Sequence, residues 1–307
     1  MKPFKFPAVI AGLVLSTISI PSAQAAASFV PFWFQTNVTA SPDTTGNPNL
    51  LNDPTRDIRL DSVTYNGKNY NNFEVVNGAN LLQNDTYTTA GGETFGILNS
   101  GRGPNTLIDP LVTQGPSKPL TSAADIVGSL GNLNLNSLIV TRESAPKASF
   151  EVSFANLINT VYFWERGGTA GGTTYGDSDI LVEALDEVSN VIASYHILRQ
   201  NYTPAGYNIS TRVDRPNPLD PPLLNNGPFN IGSIGLSLQG ASTRTLRLTS
   251  SDNNKGPIGG TPPYSGDNGP DFKLIGAQNV PGPLPLFGLG AAYTWSRKIR
   301  HRIANLS

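Results

Sequence analysis

Ile231-Gly232-Ser233-Ile234-Gly235-Leu236-Ser237-Leu238 is the stretch that decides the fold. From Ile234 onward, apolar residues alternate with small or polar ones. Ile234, Leu236 and Leu238 therefore share one face, and Gly235 and Ser237 share the other. A period of two belongs to a pleated strand with one buried and one wetted face, the usual condition in an antiparallel sheet. Leu246 and Leu248 flank Arg247 in the same way.

Working outward, β-rich segments predict strands at Ala148–Phe154, Val161–Glu165, Asp179–Leu185, Val191–Leu198, Asn208–Val213, Leu246–Leu248 and Phe272–Ile275. Ile58 to Tyr65, then Asn66-Gly67, then Asn69 to Val76 reads as a hairpin, because Asn-Gly accepts the positive φ angles of a two-residue turn. One helix is expected at Ala123–Leu130, with Ser122 as its cap, Asp125 in its first turn and Gly131 at its end. The proline-rich run from Arg215 to Pro228 reads as a long surface loop, since proline lacks the N–H an inner strand needs. No fixed-period repeat is present. About ten short strands with polar turns predict an all-β chain, an antiparallel β-sandwich of jelly-roll type with one short helix.

Composition narrows the function classes. The 307 residues hold 21 Lys+Arg against 22 Asp+Glu, a formal net charge of −1, which leaves no electrostatic footprint for nucleic acid. There is no cysteine, which removes thiol redox chemistry and thiolate metal sites.

Both ends carry targeting features. Lys2 and Lys5 precede an apolar stretch, Ala8 to Ile20, and Ala23-Gln24-Ala25 fits a small-x-small cleavage pattern, so residues 1–25 read as a secretory signal peptide. At the other end stand Val280-Pro281-Gly282-Pro283, a mostly apolar span from Leu284 to Trp295, and the basic cluster of Arg297, Lys298, Arg300 and Arg302. Apolar chain followed by cations is a membrane helix with its basic end inside. Val280 to Trp295 would give roughly 24 Å of helix against a hydrocarbon core of about 30 Å, a short span suited to a transient lipid anchor. The chain thus divides into 1–25, a β-sandwich body at 26–279, and a tail at 280–307.

That tail resembles the PEP-CTERM sorting signal, and in its Val-Pro-Gly-Pro form it is similar to the tails of cyanobacterial exosortase-dependent surface proteins. Gly282 stands where the name-giving motif has Glu. The resemblance extends to Asp57–Tyr65, Ala124–Leu130, Phe163–Gly167 and Asn268–Lys273 in the body. It implies a partner, the membrane-embedded cysteine protease called an exosortase, which recognises and removes the tail, and it implies display at the cell surface or in the extracellular matrix. It implies no molecular activity.

Within the body, catalytic chemistry is not expected. His196 is the one histidine before the tail, and no Gly-x-Ser-x-Gly elbow is present. Glu165, Asp177, Asp179 and Glu183 are acidic, but nothing in their spacing sets two carboxylates across a cleft. In the Gly167–Asp179 segment, glycine carbonyls with Asp177 and Asp179 are the hard oxygens that calcium takes, though the spacing matches no calcium loop and a flexible turn explains it as well. The alternative to a purely structural surface protein is a carbohydrate-binding module for envelope or biofilm polysaccharide. Trp164, Tyr175, Tyr195, Tyr202 and Tyr207 are the rings that would stack on sugar, with Trp164 expected in the core instead. Trp33 is assigned to strand packing and Trp295 to the membrane interface.

Overall fold

A computed structural model describes residues 26–40, 57–88, 92, 94–96, 98–102, 115–141, 147–176, 179–215, 222, 224–251 and 271–278. The described chain is an all-β sandwich with antiparallel sheets and one short helix. The expected signal peptide and sorting tail lie outside these residues. Among the described residues no helix is long and apolar enough to cross a membrane.

The central sheet has eight strands: β1 (Ser28–Phe32), β5 (Phe73–Glu74), β9 (Leu98–Gly101), β10 (Leu138–Thr141), β12 (Thr160–Thr169), β15 (Thr203–Val213), β16 (Leu224–Gln239) and β18 (Phe272–Ala277). Their order is β1-β16-β12-β18-β10-β9, with β15 also paired to β16 and β5 to β18. A five-stranded sheet, in the order β14-β13-β17-β11-β6, consists of β6 (Val76–Asn84), β11 (Lys147–Ile158), β13 (Ile180–Leu185), β14 (Val191–Ile197) and β17 (Thr243–Ser251). A small sheet holds β2 (Gln35–Ala40), β3 (Ile58–Tyr65) and β4 (Lys68–Tyr70), and β7 (Thr86–Thr88) pairs with β8 (Thr94–Gly96).

Two apolar cores lie on opposite faces of the central sheet. One face carries Phe163, Ile234, Leu236, Leu238 and Leu274 against Phe150, Val152, Val182, Leu246 and Leu248 of the five-stranded sheet. The other carries Tyr162, Trp164, Ile231 and Ile275, packed with Phe34 and with Ile58, Leu60 and Val63 of the small sheet. The central sheet is therefore buried on both sides. This corrects the expected wetted face of β16: Ser237 is 1% exposed and Gly235 is buried too. Phe32 explains the glycine, because a Cβ at Gly235 would stand 2.3 Å from its ring. On the five-stranded sheet the alternation holds as read. Leu246 and Leu248 face inward, while Arg247 pairs outward with Glu151 at 3.0 Å and Glu183 at 3.7 Å.

Helix α1 (Ala123–Leu130) begins where the sequence places it. Ser122 accepts from the Asp125 N–H, and the Asp125 carboxylate accepts from the Ser122 N–H. This reciprocal pair satisfies two donors the helix start would otherwise orphan. Gly131 ends it for reasons of space, since a Cβ there would meet the Val127 and Val76 carbonyls at 2.5 and 2.7 Å.

Several strands run longer than the sequence reading has them, β15 and β17 among them, and β1, β2 and β7 to β10 are additional; two segments differ in kind. The Asn66-Gly67 turn forms with positive φ at both residues, but β4 stops at Tyr70. After Asn71-Asn72 the chain crosses to the central sheet, where the Phe73 ring lies edge-on to Tyr162 at 6.3 Å, and then to the five-stranded sheet at Val76. Burying Phe73 thus breaks the expected return strand in two places. The expected loop from Arg215 to Pro228 contains the start of β16 at Leu224. There β16 is in strand register with β15 alone and β12 joins it from Phe229 onward, and Pro228, which has no N–H to give, accepts the Ala170 N–H through its carbonyl at 2.9 Å.

Candidate functional site

Among the described residues, the proposed site residues do not converge. The tail residues Val280, Pro281, Gly282, Pro283, Arg297, Lys298, Arg300 and Arg302, the cleavage residues Ala23 and Ala25, and Asp177 lie outside the described residues. Asp179 is described, and its Oδ1 accepts the Arg199 N–H at 2.7 Å, fixing the turn at Arg199–Asn201. In the glycine segment before it, side-chain hydrogen bonds reach residues 171, 172 and 174. Asn230 donates to the Gly172 and Thr174 carbonyls at 3.0 and 3.3 Å and accepts from Gly171 N–H. Carbonyl oxygens that a cation would take are here held by an amide. Among the described residues no group of three or more His, Asp or Glu side chains gathers in metal-binding geometry.

His196 is half-buried on β14, and burial lowers its pKa while the Asp179 charge opposes that shift. Glu165 is buried in the central sheet, whereas Glu183 faces out beside Arg247 on the five-stranded sheet. The two carboxylates sit in separate sheets. The candidate aromatic rings are likewise scattered: Trp164, Tyr202 and Tyr207 are buried, and Tyr175 and Tyr195 pack half-buried against the first core. Trp33, assigned to packing, is 68% exposed between β1 and β2. Its neighbours Phe32 and Phe34 take the inward positions, so the ring between them has no core to enter.

Arg166, Asp271 and Lys273 make buried polar contacts, Lys273 with the end of α1. Arg166 forms an ion pair with Asp271, donates to Thr211 Oγ1 at 2.7 Å and lies 4.7 Å from the Phe229 ring centre. Lys273, fully buried, donates to the Ser129 carbonyl at the end of α1 and to Asn132 Oδ1 at 3.0 Å. Those acceptors favour the ammonium form, but complete burial is the larger effect and holds the Lys273 pKa well below its usual 10.5. The unfolded chain then binds more protons than the native one between the lowered pKa and 10.5. Stability should rise with pH through that window. The buried phenols Tyr162 and Tyr207, whose pKa values burial raises, act in the opposite sense only above about pH 10. Urea unfolding from pH 7 to 9.5 should show a positive slope, and Lys273→Met should flatten it. Equal slopes in the two proteins would count against the buried amine.

Clefts lined by described residues include two on this scaffold. One, of about 530 Å³, lies between β2 and Pro204–Gly206 of β15. The other, of about 570 Å³, lies between the Asn71-Asn72 corner and the Gly131–Asn134 segment after α1. Its walls are tied together by Leu60 N–H to the Leu133 carbonyl at 2.9 Å and Leu135 N–H to the Ile58 carbonyl at 2.8 Å. Sequence reading missed this cleft because it placed Asn71 and Asn72 inside a strand. The signal available was two adjacent asparagines, which are poor strand formers. No protein-family model matches the chain, and no curated protein matches it in sequence.

Proposed function

We propose that this chain is an exported, non-catalytic surface protein, delivered by its N-terminal signal and sorted at its C-terminus by an exosortase-type membrane protease. The observation that carries the reading is the order of the tail: Val280-Pro281-Gly282-Pro283, an apolar span, then Arg297 to Arg302. Clustered cations resist translocation, so the span lodges in lipid with the body outside. The positions of the strands support it. β1 begins at Ser28, after Ala25, and β18 ends at Ala277, before Val280, so trimming at both signals removes no described strand. The body is of jelly-roll type in this reading, since the chain from β11 to β18 passes repeatedly between the two large sheets, as Greek-key sandwiches do.

Mass spectrometry of the protein recovered from an exosortase-bearing host tests this. The expected mature chain starts at Ala26 and ends near Pro281–Pro283. A chain that keeps Ser307 would overturn the sorting claim.

A further inference from the structure

We propose that the cleft between Asn71-Asn72 and Gly131–Asn134 binds a neutral sugar chain. The inference goes beyond surface display and rests on the cleft alone. The cleft's volume of about 570 Å³ falls within the range of about 300–1,000 Å³ usual for small-ligand sites.

The donors and acceptors fit hydroxyl groups. Asn71 and Asn72 are exposed, and their side chains make no hydrogen bond among the described residues. Each amide offers two donor hydrogens and one acceptor oxygen, so a pair of them can both give to and take from neighbouring hydroxyls. On the opposite wall Asn134 is 1% exposed, and its Nδ2 has no acceptor. Turning that amide over does not repair the deficit, because its Oδ1 already accepts the Asn136 N–H at 2.9 Å. A buried donor left unmet costs about 1–3 kcal/mol, and Asn134 belongs to the lining of this cleft. Between the amides, Phe73, Val75 and Leu133 are half-buried, supplying the apolar surface that the carbon face of a sugar ring covers.

Charge selects among ligands. Arg59 is the one charged residue lining the cleft, and its guanidinium is committed to Asp61 at 2.7 Å. No carboxylate lines the cleft to hold a cation, and no uncommitted cation lines it to hold a polyanion. A peptide adding as a strand would need open backbone groups along the wall. The Leu133 and Ile58 carbonyls and the Leu60 and Leu135 N–H groups are already paired with one another. Polyhydroxyl chemistry without charge is what remains.

The full-length chain in detergent micelles should be applied to an array of neutral oligosaccharides built from glucose, galactose, mannose, xylose and N-acetylhexosamines, with heparin and an extended polar peptide beside them. Isothermal titration then measures the best glycan. At least one neutral glycan should be retained, unaffected by EDTA and nearly insensitive to salt. The double variant Asn71→Ala/Asn72→Ala, altered only at exposed positions, should weaken it at least about tenfold. Gln35→Ala, in the other cleft, should leave it unchanged. Retention of no neutral glycan, binding only to heparin or to the peptide, or an affinity that follows Gln35 and ignores Asn71 and Asn72 would each overturn the assignment. None of these results bears on where the tail is cut.

Discussion

Replacing Trp164 by alanine should remove about 3–5 kcal/mol of folding stability, a large share of the about 5–15 kcal/mol typical of a domain. Trp164 is 1% exposed at the centre of the second core. Its ring meets Phe34 edge-on at 5.6 Å and leans on Tyr162 at 6.1 Å. Its Nε1–H donates to Thr36 Oγ1 at 2.9 Å, which ties the central sheet to β2. Truncation therefore opens a cavity and strands a hydroxyl at the junction of two layers. Trp164→Phe keeps most of the volume and loses the hydrogen bond, so about 1–3 kcal/mol is expected for it. Denaturant midpoints for the three proteins would rank as wild type, phenylalanine, alanine. An alanine variant as stable as the wild type would mean that the small sheet does not depend on this ring.

Arg166→Met should cost a similar amount, about 3–5 kcal/mol, for an electrostatic reason. The Arg166 side chain is 11% exposed and the Asp271 side chain 4%, so removing the guanidinium takes a close cation away from a carboxylate deep in the fold. The paired replacement Arg166→Met/Asp271→Leu removes both charges together and should recover much of the loss, since a buried pair is often little better than apolar residues of like volume. If the double variant is as unstable as the single one, packing around Phe229 and Thr211 matters more than the ion pair. Urea unfolding of all three proteins at pH 7 separates these outcomes.

Much of the body was legible because its chemistry is local. The strands around Val182, Leu246 and Leu274 announce themselves by β-forming residues and alternation, and α1 by Ser122, Asp125 and Gly131. The layering was not legible. Gly235 and Ser237 look like a solvent face, yet the glycine is small because Phe32 lies over it, and no window along β16 contains Phe32. Trp33 misleads for the mirror reason: strand packing is expected of an aromatic ring, but its neighbours Phe32 and Phe34 occupy the inward positions. The asparagine-lined cleft joins residues about sixty positions apart, Asn71-Asn72 and Asn132–Asn134, and its wall chemistry appears only once α1 is docked. The proposed signal peptide and sorting tail, by contrast, rest on composition and order alone, because such signals act as linear stretches of chain.

The position of β18 sets a timetable. The last described strand is an inner one, held between β12 and β10, and it supplies Phe272 and Leu274 to one core and Ile275 to the other. Until residue 277 has emerged from the ribosome, the widest sheet has a gap in its middle and neither interior can dry. Contacts between distant parts of the chain already make such folds slow. A polypeptide whose keystone is delivered last closes its two interiors only when its synthesis is nearly finished.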